Sequence, residues 1–398
     1  MSRLPRFELI KTVVAAPPRP PARNATDDND IAVDSDGTSS DGQDEPQLEY
    51  ITHLERSCDG GQVATALSSL KINLYSSDTM LANGQLSGHT DALTQLAFAP
   101  SDSHALFSAS EDGTVRGWDV RSLSSTATFG QSGEEVWSMA LGYDGHLGAT
   151  GKGCTVEFYD LRKAGKPLGT YCECHSDAVT QVRFHPQKQA FMLTGSEDGL
   201  MCFFDTGVST EEDALDSVMN AECAVRSVGF FGPQGEGVYC CTNTETLSLW
   251  HASGAQRIKD FGDVRTLARA TPPGDAAGAR GHGAESRGGW GAQVDCIVGC
   301  HYEAETDRLR LVTSGFDGGA CVATIAPEGI APEAVLEGGH SEQIRTFDWR
   351  GQAVFTGAED AQICLWRVPG GSGSGEGLRH RREDDDDAMD EDDGSEES

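Results

Sequence analysis

The sequence predicts an all-β fold, a seven-bladed propeller closed into a ring and flanked by disordered acidic tails. Three observations carry that prediction. The run Leu93-Thr-Gln-Leu-Ala-Phe-Ala-Pro100 recurs 86 residues later as Val179-Thr-Gln-Val-Arg-Phe-His-Pro186, twice a period of 43. A tight-turn sequence follows each copy at the same distance, Ser110-Glu-Asp-Gly113 and Ser196-Glu-Asp-Gly199, and a histidine precedes each, His89 and His175. A third copy runs from Gly338-Gly-His340 through Gly357-Ala-Glu-Asp360 to Leu365-Trp366, and Asp317 stands 43 residues ahead of Asp360.

A period of about 40 to 45 residues with Gly-His and Trp-Asp ends is the mark of WD-repeat (WD40) blades. Along the chain, Arg6–Val14 is the one strand-like run before the first blade. Residues 1–14 are therefore assigned to lend the last blade a closing strand, which leaves no open sheet edge. Residues 15–49 are rich in Pro, Asp and Ser and cannot bury enough apolar surface to fold. The propeller occupies 50–368, with blades near 50–75, 88–121, 134–162, 174–206, 224–253, 290–327 and 338–368. Inside a blade the side chains alternate: Leu96 and Phe98 share one face, Arg116, Trp118 and Val120 another, and Asp112-Gly113 turns the chain between strands. Asp198 and Asp317 are 119 residues apart, and the excess over two periods falls on the Gly/Ala-rich stretch 271–291, expected to be a flexible loop. Residues 369–398 begin as a Gly/Ser linker, pass through Arg379-His-Arg-Arg382 and end in an acidic run.

The formal charge is −33. Residues 50–368 hold 41 acids against 22 bases, so the propeller itself is strongly negative. Such a surface repels phosphate backbones, which argues against direct nucleic-acid binding, and it favours basic protein partners such as ribosomal proteins or histones. Met1-Ser-Arg-Leu-Pro5 lacks the apolar core of a signal peptide and no apolar run is long enough to span a bilayer, so a soluble intracellular protein is expected. The twelve cysteines lie in apolar, strand-like runs and read as reduced core thiols. Cys172, Cys174 and His175, and likewise Cys296, Cys300 and His301, resemble metal ligands but lack the paired spacing of a zinc site. Asp260-Phe-Gly262 mimics a kinase motif without the Gly-rich loop, strand lysine and His-Arg-Asp that would give it meaning. With no convergent acid, base or nucleophile, the chain reads as a non-enzyme without metal or cofactor.

The repeated polar residues have a structural expectation. His89, Ser108, Asp112 and Trp118 in one blade, with His175, Asp198, Asp317, His340, Asp360 and Trp366 in others, are assigned to the buried hydrogen-bond network common in WD blades. Two constellations point to partners instead. Trp118-Asp119-Val-Arg121 and Tyr159-Asp160-Leu-Arg162 end consecutive repeats, and such boxes place arginines where many WD substrate receptors of cullin-RING ubiquitin ligases dock on the ligase adaptor; the same boxes also occur in WD repeats that bind no ligase. On the opposite face, Thr94, Trp137, Thr180, Arg226 and Arg345 share one position on the first strands. There Trp137, Arg226 and Arg345 could grip an acidic or aromatic peptide, or be ordinary rim residues.

Four stretches resemble the WD repeat-containing protein 89 family. They are His175–Pro186; Glu211-Glu-Asp-Ala-Leu215; Asp263-Val-Arg265 with Asp295–Gly299 and Thr306-Asp307; and Gly338-Gly-His340 through Gly357–Ala361. The Glu-Asp-Ala and the paired glycines before His340 are not expected from propeller geometry alone. The resemblance covers most of 50–368 and implies a poorly characterised scaffold, with ribosome assembly suggested by related plant proteins. The long acidic insertion, the Gly/Ala loop and the acidic C-terminus depart from it. The expectation is a monomeric interaction scaffold of nucleus and cytoplasm.

Overall fold

Seven four-stranded antiparallel sheets make up the computed structural model, which describes residues 4–15, 49–131, 133–208, 210–270 and 290–368. Blades 1 to 6 are consecutive in sequence, spanning 51–87, 93–130, 136–171, 181–220, 225–263 and 296–336. Blade 7 takes three strands from 344–367 and its outermost strand from Glu8–Val14, which pairs antiparallel with Gln362–Arg367. The anticipated insertion 15–49, apart from its ends, and the tail 369–398 lie outside the described residues, as does 271–289.

The core is divided among the gaps between neighbouring blades. Strands buried on both faces run Ile72, Leu74 and Leu86 of blade 1 against Leu93, Leu96 and Leu106 of blade 2. Phe129, Val136, Met139 and Tyr159 fill the next gap, and Val312, Val322, Ile344 and Trp366 join blades 6 and 7. Each sheet is thus stabilised mainly by apolar area buried against its neighbours, and removing one such leucine costs about 2–5 kcal/mol.

The N-terminal segment contacts three blades. Phe7 is buried edge-on against Trp349 at 5.6 Å, and its amide donates to Val335 of blade 6 at 2.9 Å. Ala15 donates to Ala361 of blade 7, and its own carbonyl accepts Asn73 Nδ2 of blade 1 at 2.8 Å.

Three details differ from expectation. Trp290, placed by sequence within the flexible loop, is almost wholly buried beside Val264 and Ala268. Two short helices interrupt the β pattern, α1 (Glu211–Ala214) and α2 (Val264–Ala270). Gly339 is required by packing: a Cβ there would stand 2.4 Å from the Trp366 indole. Beside these, Cys58, Cys154 and Cys172 are exposed rather than in the core.

Candidate functional site

In every blade the innermost strand starts at the same end of the ring as the turn between second and third strands, here the upper face; the third strand ends on the lower face. The repeat network lies under the upper turns. Trp118 Nε1 donates to Ser108 Oγ at 2.8 Å, and Ser108 Oγ lies 2.7 Å from His89 Nε2. His89 Nδ1 lies 2.8 Å from Asp112, so the proton on Nδ1 serves the carboxylate and Nε2 is left to accept from the hydroxyl. Burial, which favours the neutral ring, draws the His89 pKa below its ordinary value even beside Asp112. Burial opposes the charge on Asp112, but bonds from Thr114, His89 and the Thr90 amide outweigh it and hold the carboxyl below the usual range.

Blade 7 repeats this set with Trp366, Thr356, His340 and Asp360. In blade 4, His175 joins Asp198 and Thr194, and Phe204 stands where the tryptophan would be. In blade 6 Asp317 holds the same turn, its Oδ1 accepting the Gly319 amide at 3.0 Å as Asp112 accepts that of Thr114, and Ala323 stands at the tryptophan position.

The shared first-strand position has a cause in the backbone. Register shifts fall on the inner strands between Leu93 and Gln95, Val136 and Ser138, Val225 and Ser227, and Ile344 and Thr346. Thr94, Trp137, Arg226 and Arg345 are therefore bulge residues, re-aimed out of the strand alternation. Thr94 Oγ1 donates to Val136 of the next blade at 2.6 Å, and Thr180 to Val225 at 2.5 Å. Arg226 makes the same reach to the Ile297 carbonyl and forms a two-pronged pair with Glu245 at 3.2 Å. Glu245 Oε2 in turn accepts the Ile297 amide at 2.6 Å. Arg345 Nε donates to Glu359 at 2.6 Å. Both arginines are thus neutralised within the rim, and Arg226 also joins blades 5 and 6. Trp137, half-buried, keeps part of its ring at the surface.

On the lower face, Arg121 and Arg162 lie on adjacent blades with side chains 66% and 61% exposed. Each folds back on its own box: Asp119 accepts Arg121 N at 2.9 Å and Nε at 3.2 Å, and Asp160 accepts the same groups of Arg162 at 3.1 and 2.8 Å. The bonds from Arg162 lower the Asp160 pKa to about 2. Asp263-Val-Arg265 makes the same set of bonds at the end of an outer strand, on the upper face. The Asp-x-Arg box is therefore first a local cap for a strand end, and Trp118 and Tyr159 ahead of it are core residues.

The metal-like groups are committed elsewhere. Glu211 of α1 accepts the amides of Cys172, Glu173 and Cys174 at 2.7–2.9 Å, which gives the Glu211–Leu215 stretch a packing role between blades 3 and 4. Cys300 faces Cys241 at 3.8 Å, and His301 stacks on Trp349 at 5.0 Å. Among the described residues no three His, Cys, Asp or Glu side chains are placed to hold a metal ion, and no helix is long and apolar enough to cross a membrane. Within the ring, inner strands of blades 1, 4, 5, 6 and 7 line a channel cavity of about 600 Å3.

Comparison with known proteins agrees with this geometry. The WD domain, G-beta repeat family matches residues 82–119 and 165–205. The chain is 31% identical over 343 residues to the WD repeat-containing protein GTS1 of Arabidopsis thaliana, covering 80% of this chain and 81% of the relative. It is 28% identical over 316 residues to the WD repeat-containing protein 89 homolog of Dictyostelium discoideum, covering 79% and 82%. A chain in the crystal structure of the mitotic checkpoint complex superposes with a TM-score of 0.62 at 15% identity, over 80% of this chain and 90% of that one, a likeness of fold.

Proposed function

Because the chain belongs to the WD-repeat family of GTS1 and the WD repeat-containing protein 89 homologues, we propose that it is a non-catalytic, monomeric scaffold that holds basic proteins, with ribosome assembly as its setting in nucleus and cytoplasm. The observation that carries this reading is charge. Between residues 50 and 368 acids outnumber bases by 41 to 22, and the rim arginines Arg226 and Arg345 are already paired, so the surface offers carboxylates to a partner. A negative field of this size steers cationic proteins to a rigid ring whose loops present several docking positions at once. Histones are an alternative cargo of the same chemistry.

A second reading, substrate receptor of a cullin-RING ligase, is favoured by the exposure of Arg121 and Arg162 on neighbouring blades of one face. It requires the adaptor to compete with Asp119 and Asp160 for the two guanidinium groups.

One purification separates the two. The tagged protein is isolated from its own cells beside an Arg121→Glu, Arg162→Glu variant, and the associated proteins are identified by mass spectrometry. Basic pre-ribosomal proteins held by both, and released by raising salt from 0.1 to 0.5 M, are the expected result. An adaptor and cullin held by the wild type and lost by the variant would establish the ligase reading instead. Absence of basic proteins from both preparations at low salt would overturn the assembly proposal.

A further inference from the structure

The channel contains a cation, Arg183, with no carboxylate paired to it among the described residues. Arg183 projects from the inner strand of blade 4, Gln181–Phe184, and is among the residues lining the cavity of about 600 Å3. Its one hydrogen bond among the described residues runs from Nη1 to the carbonyl of its neighbour Val182, at 2.8 Å. No carboxylate among the described residues is within ion-pairing distance; Glu55 acts on it only from farther off. Burial inside the ring works against this charge and lowers its pKa from the ordinary arginine value. A half-buried guanidinium whose one hydrogen bond among the described residues goes to a neighbouring carbonyl is poorly compensated inside the ring.

Two further atoms, on residues of blades 1 and 4 that line the same cavity, are unsatisfied. His53 Nδ1 and Gln181 Oε1 are both buried without a hydrogen-bond partner, and both residues line the cavity. The Gln181 amide is fixed in orientation, since Nε2 donates to the Thr180 carbonyl at 2.6 Å, so the atom left over is an acceptor that needs a donor. The cavity therefore asks for a group bearing one negative charge together with N–H groups.

We propose that the channel is a recognition site for a carboxylate carried by a partner peptide, with Arg183 holding the carboxylate and Gln181 and His53 meeting the peptide's polar backbone. The surroundings select this class over a polyphosphate. Glu245 and Glu359 cancel the arginines at the mouth, and Glu55 and Asp348 lie deeper on the inner strands, so among the described residues lining the cavity one positive charge, that of Arg183, is left for a ligand. A phosphate without N–H groups would also leave Gln181 Oε1 unpaired. The cavity volume falls within the roughly 300–1,000 Å3 of sites that enclose small ligands or short chain segments. The site is separate from the acidic outer surface invoked for basic partners, and either proposal can fail alone.

The test uses the full chain and a decapeptide library of random sequence in which one position is fixed in turn as each residue, every pool made with a free and with an amidated C-terminus. Pools carrying Asp or Glu, or the free-acid pools, bind the wild type roughly 10- to 100-fold better than those with Asn, Gln or an amidated end, the worth of a charge-assisted pair. Which of the two contrasts appears tells a side-chain carboxylate from a terminal one. Arg183→Gln abolishes the preference, and Arg183→Lys, which keeps the charge but loses the planar fork, retains part of it. As a readout that does not rely on variant folding, the arginine Nε–H resonances of the wild type are followed by NMR, where one must shift with the acidic pool and not with its amide counterpart. Equal binding of acid and amide pools by the wild type, an acid preference unchanged in a folded Arg183→Gln protein, or no arginine shift would each overturn the proposal.

Discussion

Ser108 illustrates how much rests on a single hydroxyl. It receives the Trp118 N–H and satisfies His89, all three inside the blade. Ser108→Ala leaves a buried donor and a buried acceptor unpaired, so a loss of about 2–3 kcal/mol is expected, measurable as a fall in the urea midpoint. Ala361 gives the opposite expectation. It occupies the turn position taken by Gly113 and Gly199 in blades 2 and 4, with φ 58. A left-handed conformation costs a residue with a Cβ about 1 kcal/mol, so Ala361→Gly should raise the midpoint by a corresponding amount, and an unchanged or lowered midpoint would show that the Cβ is repaid by packing. Sequence spacing located His89, Asp112 and Trp118 because a repeated network leaves a repeated mark. At Asp317 the same spacing marks the same turn, while Ala323 at the tryptophan position shows where blade 6 departs from the repeat. The pairing of Arg226 with Glu245 and of Arg345 with Glu359 was invisible because each pair crosses between strands, 19 and 14 residues apart.

Among elements, the N-terminal strand is the most exposed to damage, since its residues 8–12 face solvent and its anchor is Phe7. Phe7→Ala removes a buried ring from between blades 6 and 7 and should cost about 3 kcal/mol. The expected signature is local: faster amide exchange across Gln362–Arg367 and earlier proteolytic cutting within residues 4–15, with exchange in blades 2 to 4 unchanged. Uniform acceleration through all blades would mean instead that the ring opens as one cooperative unit. Helix α2 was missed for want of a boundary: it follows Arg257–Asp263 directly, and seven residues are too few for helical periodicity to emerge. Arg183 carries no mark in the sequence: it stands three residues past Thr180, off the position shared by the inner strands. Only the closed ring brings Arg183 opposite blade 1.

For the whole molecule, the direction of pH dependence follows from which groups burial disfavours as ions. His89 and His175 are drawn below the ordinary histidine value chiefly by burial, and His53 and His301 fall to about 4 for the same leading reason. The unfolded chain takes up protons on all four near pH 6.5, before the folded chain does, so their contribution to stability is complete above that pH and is lost as pH falls toward 4. Asp112, Asp198 and Asp360 are held below the usual carboxylate range, and their contribution drains away at lower pH still. Glu55 runs the other way. Burial, with Asp348 nearby, raises it to about 8, so its contribution is complete below pH 4.5 and is lost as pH rises through 8. The melting temperature is therefore expected to drop by about 5 °C or more between pH 7 and 5, more steeply than between pH 7 and 9. Glu55 opposes this drop between pH 8 and 4.5, so the decisive profile is that of Glu55→Gln, in which a flat course from 7 to 5 would show that the buried histidines are already charged in the folded ring.

The pairing of Glu8–Val14 with Gln362–Arg367 also sets an order of events at the ribosome. The first strand to emerge is bonded to the last, and some 350 residues must be made in between. At synthesis rates of about 5–20 residues per second, the early strand waits on the order of tens of seconds without its partner. During that time six blades can form and stack, while the N-terminal strand lacks its partner and the apolar face that blade 6 turns to blade 7 stays open to other chains. A nascent chain of this kind depends on being shielded until its own C-terminal part arrives, and crowding of translating ribosomes on one message would favour exchange of that strand between neighbouring copies.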